Sequence, residues 1–102
     1  MNFDDKLMTK TKGENKFRPS VKIVARILKE ISEHNFMIRT ELAKTANVNY
    51  SILSQYLTWL EENSDVELII MNKKVNVKLT EKGHLILKDI DKLDAQFITF
   101  ID

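Results

Sequence analysis

The chain has no cysteine, one proline and two glycines in 102 residues. Without cysteine there are no disulfides and no thiolate metal sites, and an intracellular, cytoplasmic setting is expected. So little glycine and proline argues against an all-β domain and for helices. No apolar run approaches the roughly 20 residues that span a membrane, and no signal peptide is visible, so no membrane partner is expected. Catalytic signatures are also missing: no nucleophile–base pattern, no Gly-rich phosphate loop, no metal-ligand spacing. His34 and His84 stand far apart with no carboxylate pattern around them and read as surface or capping residues. Neither an enzyme nor a cofactor is expected.

What is present fits one core. With 43% hydrophobic residues, the length suits a single domain. The net charge of +1 conceals an asymmetry. Between Lys6 and Lys29 there are eight basic residues against one acid, Glu14. Between Glu81 and Asp102 three Lys face five acids. A basic amino end suits a chain that meets a polyanion with one side only. The plainer reading is a soluble leader, and both stand at this point.

Residues 1–18 show no sustained period and read as a basic flexible arm, with TKTKGENK from Thr9 typical of disorder. Pro19 and Ser20 mark a helix start. Val21, Val24, Ile27, Leu28 and Ile31 form its expected buried stripe, while Lys22, Arg26 and Lys29 lie off it, reaching phosphates or only solvent. Phe36-Met37-Ile38 suits a small strand or a buried crossing. RTELAKTA then reads as a second helix opened by Arg39 or Thr40, with Leu42, Ala43 and Ala46 inward.

Residues 47–63, NVNYSILSQYLTWLEEN, carry the sharpest pattern. Leu53, Tyr56, Leu57 and Leu60 recur at the spacing of one buried helical stripe, and Asn49 suits the amino cap. Ser51, Ser54, Gln55 and Thr58 fall opposite, on a polar face without charge. A merely solvated face usually carries Lys and Glu; hydroxyls and amides suit base edges. The two helices with a short turn between them have the size of a helix-turn-helix.

The period then changes to two. Leu68 and Ile70 share one strand face and Ile69 and Met71 the other; Val75, Val77 and Leu79 alternate with Asn76 and Lys78. Asn72-Lys73-Lys74 lies between, so a hairpin with Lys73 and Lys74 at its tip is expected. Thr80 caps a last helix. On it Ile86, Ile90, Leu93, Phe97 and Phe100 form a seam of about two heptads, short of the three to four of a firm coiled coil. That seam is a dimer contact or a packing face for the first helix. The fold class expected is mainly α with a small β-hairpin: an arm over 1–18, a winged helix-turn-helix over 19–80, and an extra carboxyl-terminal helix over 81–102.

Element order resembles that of winged-helix domains, and LTEKG, Leu79 to Gly83, is frequent at that position in them. More narrowly, NVNYSILSQYLTWLEENSDVELI resembles small archaeal winged-helix proteins: the ten-kilodalton chromatin-like DNA-binding proteins of Sulfolobus and related transcriptional regulators. Asn47, Tyr50, Tyr56 and Leu60 fall where that family has Asn, Tyr, Tyr and Leu. The resemblance covers about Val21 to Leu93. It implies double-stranded DNA as partner and a homodimer joined through the last helix, in the family an antiparallel coiled coil. Three features depart from the family: the basic arm, a shorter last helix, and the lack of basic charge at Gln55 and Thr58.

The expected function is DNA binding by a homodimer, as a transcriptional regulator or nucleoid-associated protein. Ser51, Ser54, Gln55 and Thr58 are the candidates for base edges, Gln55 first because its amide can pair twice with adenine. Arg39, Lys44, Asn49, Tyr50, Lys73 and Lys74 are the candidates for backbone contacts. The alternative is a protein-docking winged helix without DNA binding, suggested by the acidic cluster Glu61, Glu62, Asp65 and Glu67.

Overall fold

The computed structural model describes residues 17–101, with side chains as far as Ala95. The arm's Lys6, Lys10, Lys12 and Lys16 lie outside the described residues. Among those described, four helices and three strands follow in the order α1 (Val21–Ser32), β1 (Met37–Ile38), α2 (Arg39–Thr45), α3 (Tyr50–Glu62), β2 (Val66–Met71), β3 (Lys74–Leu79) and α4 (Glu81–Ile101). The strands form one antiparallel sheet in the order β1-β3-β2. The expected hairpin is there, and Met37–Ile38 adds a third strand to it, pairing Met37 with Val77.

Ser20 starts α1: its hydroxyl accepts the Ile23 amide at 3.4 Å. Val24, Ile27, Leu28 and Ile31 are buried as their spacing predicts. Val21 is not: it is 66% exposed, because the helix begins there and nothing among the described residues covers its first turn. α3 contributes Leu53, Tyr56, Leu57 and Leu60 to the same core. Each fully buried leucine is worth roughly 1.5–3 kcal/mol of transfer free energy. Tyr56 also accepts the Ser20 amide at 2.8 Å through its hydroxyl, joining α3 to the start of α1. Phe17 packs edge-on against the Tyr56 ring, centroids 5.1 Å apart.

Both helices of the helix-turn-helix end in the same way. After α2, Asn47 takes a positive φ of 56°, its amide donates to Lys44 and that of Val48 to Ala43. After α3, Ser64 takes φ 63°, its amide donates to Glu61 and that of Asp65 to Leu60. These are Schellman closures, with Asn and Ser standing where glycine is commonest.

LTEKG has a physical explanation here. The Thr80 hydroxyl accepts the Gly83 amide at 3.0 Å, capping α4, and donates to the Ser64 carbonyl at 2.7 Å. The Thr80 amide donates to the Asp65 carbonyl at 3.1 Å. A methyl group on Gly83 would overlap that carbonyl oxygen, so the close approach requires glycine. Asp65 itself is 5% exposed, with Lys82 at 3.7 Å from its carboxylate. It therefore leaves the acidic cluster and belongs to the core edge.

Replacing Gly83 with alanine should cost about 1–3 kcal/mol, the usual range for overpacking. Urea denaturation measures it, and an unchanged midpoint would mean that Asp65 and α4 do not meet this closely.

Candidate nucleic-acid interface

α3 presents the face the sequence predicts. Ser51, Gln55 and Thr58 are exposed and Ser54 is partly buried. The four differ in what remains free. The Thr58 hydroxyl donates to the Ser54 carbonyl at 3.0 Å, and the Ser51 hydroxyl to the Asn49 side-chain oxygen at 2.8 Å. Their oxygens can still accept, but their protons are engaged. Gln55 makes no hydrogen bond within the described residues, so it has both an acceptor and donors to offer.

The amino end of α3 is well ordered by local contacts. Asn49 caps it, its side chain accepting the Ser51 amide at 2.8 Å. Tyr50, the first helical residue, is 42% exposed. Arg39 opens α2 and lies over the Tyr50 ring, its guanidinium carbon 5.5 Å from the centroid. The Arg39 Nε is buried without a hydrogen-bond partner among the described residues. Arg39, Asn49 and Tyr50 thus come together, joined by a cation–π contact that holds the guanidinium beside the first turn of α3.

The lysines divide. Lys44 lies 3.9 Å from Glu41, both well exposed, a contact worth little in water. Lys73 and Lys74 are exposed and form no ion pair within the described residues. They are not equivalent. Lys74 is already in β3, paired with Met71, so the turn is the two residues Asn72 and Lys73. Their φ angles of 51° and 63° make a type I′ turn, which usually takes Asn-Gly. Lys73 thus occupies the glycine position at the wing tip.

Arg26 lies off the buried stripe as its spacing predicts, but it has partners that its position on α1 does not reveal. It stays exposed, but its guanidinium is engaged within the domain, donating to the Ala46 carbonyl at 2.9 and 3.1 Å and to that of Asn47 at 2.7 Å. It fixes the turn between α2 and α3 to α1. A separation of twenty residues gave no local signal for this. Asn76 was expected to face outward, yet is 5% exposed in the central strand, its amide donating to the Lys74 carbonyl at 3.3 Å.

On α4 the seam splits. Ile86 and Ile90 pack partly against their own core, with Leu87 buried beside them. Leu93 is 54% exposed and Leu85 58%. The side chains of Phe97 and Phe100 lie outside the described residues.

No group of His, Cys, Asp or Glu among the described residues could hold a metal ion. No described helix is long and apolar enough to cross a membrane. A family model described as winged helix-turn-helix matches residues 18–96.

The chain belongs to the winged helix-turn-helix family.

Solved structures share its fold. Sso10a-2, a DNA-binding protein from Sulfolobus solfataricus, superposes with a TM-score of 0.74 at 21% identity, over 82% of this chain and 86% of that one. The transcriptional regulator BldR, also from Sulfolobus solfataricus, gives 0.71 at 22% identity over 99% and 84%. A MarR variant from E. coli complexed with operator DNA gives 0.67 at 25% identity, over 74% of this winged helix and 56% of MarR. This chain therefore matches little more than half of MarR's length. No curated protein sequence matches it.

Replacing Lys73 with glycine should raise stability by about 0.5–1 kcal/mol, because it relieves a left-handed backbone at a residue with a Cβ. Equilibrium urea unfolding reads this, and a loss of stability would rule out the type I′ turn.

Proposed function

We propose that this protein binds double-stranded DNA as a homodimer and serves as a transcriptional regulator or nucleoid-associated protein, without catalysis or cofactor, in the cytoplasm. The observation that carries the reading is the exposed, uncharged face of α3, with Gln55 unengaged at its centre. Family membership supports it, as does the likeness to a DNA-binding protein and to a regulator seen with operator DNA.

In this reading α3 enters the major groove amino end first. Gln55 reads adenine, and Ser51, Ser54 and Thr58 accept hydrogen bonds from neighbouring base edges. Arg39 and Tyr50 meet the phosphate backbone at the start of α3, with Asn49 in reserve because its cap already engages it. Lys44, Lys73 and Lys74 add backbone contacts that position the domain without reading sequence. The arm over 1–18 supplies further positive charge. α4 joins two copies through Leu93, Phe97 and Phe100, and Ile86 and Ile90 contribute what their own core leaves uncovered.

Three measurements test this on mixed and defined duplexes. Gln55→Ala should remove about 1–3 kcal/mol of discrimination at one base pair. Lys73→Ala should weaken all sequences alike and reduce the log–log salt slope by about 0.9. Uniform loss in both variants would mean that Gln55 reads no base. Light scattering should give a dimer that Leu93→Asp converts to monomer; a wild-type monomer would remove α4 from the assembly. Absence of binding at low salt, at tens of micromolar protein, would favour a protein-docking winged helix instead.

A further inference from the structure

We propose that the free edge of β2 is a docking strand for an extended, basic segment of a partner protein, separate from the α3 face. The sheet order leaves β2 at an edge. Its two-residue hairpin closes on Met71 and Lys74, and the register pairs Ile69 with Asn76 and Glu67 with Lys78. In an antiparallel ladder, alternate pairs exchange both backbone bonds, starting from the pair that flanks such a turn. The amides and carbonyls of Val66, Leu68 and Ile70 therefore point off the sheet; Val66 is covered at 2% exposure, so the open part of the edge is Leu68 to Ile70. No hydrogen bond from outside the ladder reaches them among the described residues.

The strand has few of the usual protections of an edge, its one charge being Glu67. It has no proline, no lysine and no bulge, and Ile70 stands 76% exposed on it. A cleft of about 430 Å³ runs beside it, lined by Glu61, Ser64, Val66, Glu67, Leu68 and Ile69. Glu61 and Glu67 are exposed, and neither forms an ion pair within the described residues; the ion pairs there are Lys44 with Glu41 and Lys82 with Asp65. Lys78 lies across the ladder from Glu67 without pairing to it.

Open backbone groups, two unpaired carboxylates and one apolar side chain describe the occupant by complement. It is an added strand whose Lys or Arg side chains face Glu61 and Glu67, with an apolar residue against Ile70. The same charges oppose a duplex phosphate. They also oppose a second copy of this edge, which would set carboxylates against each other.

The probe is a short capped peptide alternating Lys and Val, titrated into the full chain and followed by backbone NMR and amide hydrogen exchange. Shifts and slowed exchange should centre on Leu68 and Ile70. A Glu–Val peptide should bind at least about tenfold more weakly, and Glu67→Lys should reverse that preference. Leu68→Pro deletes an outward amide without removing a bond to β3, and should abolish binding. If that variant does not unfold cooperatively, Glu67→Lys decides alone. Equal binding of both peptides, or shifts centred on α3, would overturn the proposal. So would edge amides already protected in the free protein: concentration-dependent protection would indicate a second copy, and protection lost on removing residues 1–16 the chain's own leader.

Discussion

The carbonyl oxygen of Asp65 is where the domain is fastened. The turn after α3, the base of the wing and the first turn of α4 meet on it. The Thr80 amide donates to it, and Gly83 leaves the space it needs. Lys82 adds a bond to the Asn63 carbonyl at 2.6 Å, tying the end of α3 to the same place. Shifting this one backbone group would change the angle at which β2 leaves α3. The wing and the last helix would follow, because β2 begins directly after Asp65 and α4 directly after Thr80. The junction is local chemistry with a distant result: it sets how the hairpin and α3 stand together.

Much of this was legible in the sequence, and the reasons differ from element to element. The stripe of Leu53, Tyr56, Leu57 and Leu60 was readable because burial imposes a period. Asn49 and Thr80 were readable as caps because capping needs a short acceptor at one position. Ser64 in a left-handed closure was not, since Ser is uncommon there and only the bonds to Glu61 and Leu60 explain it. Arg26 was read from its place on its own helix, but its partners are carbonyls twenty residues away. Asn76 followed the alternation rule and still came out buried, because a central strand has neighbours on both sides. Val21 followed the stripe and came out exposed, because a stripe says nothing about where the cover stops.

The polar face of α3 illustrates a division inside one surface. Two of its hydroxyls are held by their own helix and cap, so their directions are fixed before anything arrives. Gln55 is free. A surface of this kind offers fixed acceptors around one adaptable amide, which favours selectivity over strength. In the proposed function, strength would come from charge elsewhere, from the wing tip and from the cluster around Arg39. The acidic side of the domain lies at the other end of α3 and along β2, so opposite ends of one helix address different chemistries.

Arg26 has a mechanical meaning beyond its bond count. By gripping the carbonyls of Ala46 and Asn47 it ties the turn between α2 and α3 to α1, and the Schellman closure of Asn47 fixes that turn further. The hairpin tip has no such brace: Asn72 and Lys73 make no hydrogen bond to the rest of the described residues beyond their own strands. The turn before α3 is therefore braced, and the wing tip, among the described residues, is held by its own hairpin alone. In the proposed DNA-binding function, adjustment to a curved or irregular duplex would fall to the wing, and the entropy lost on contact would fall there too. In that function, stiffening the tip and loosening the turn would be opposite operations, one acting on how firmly the duplex is held and the other on how faithfully it is chosen.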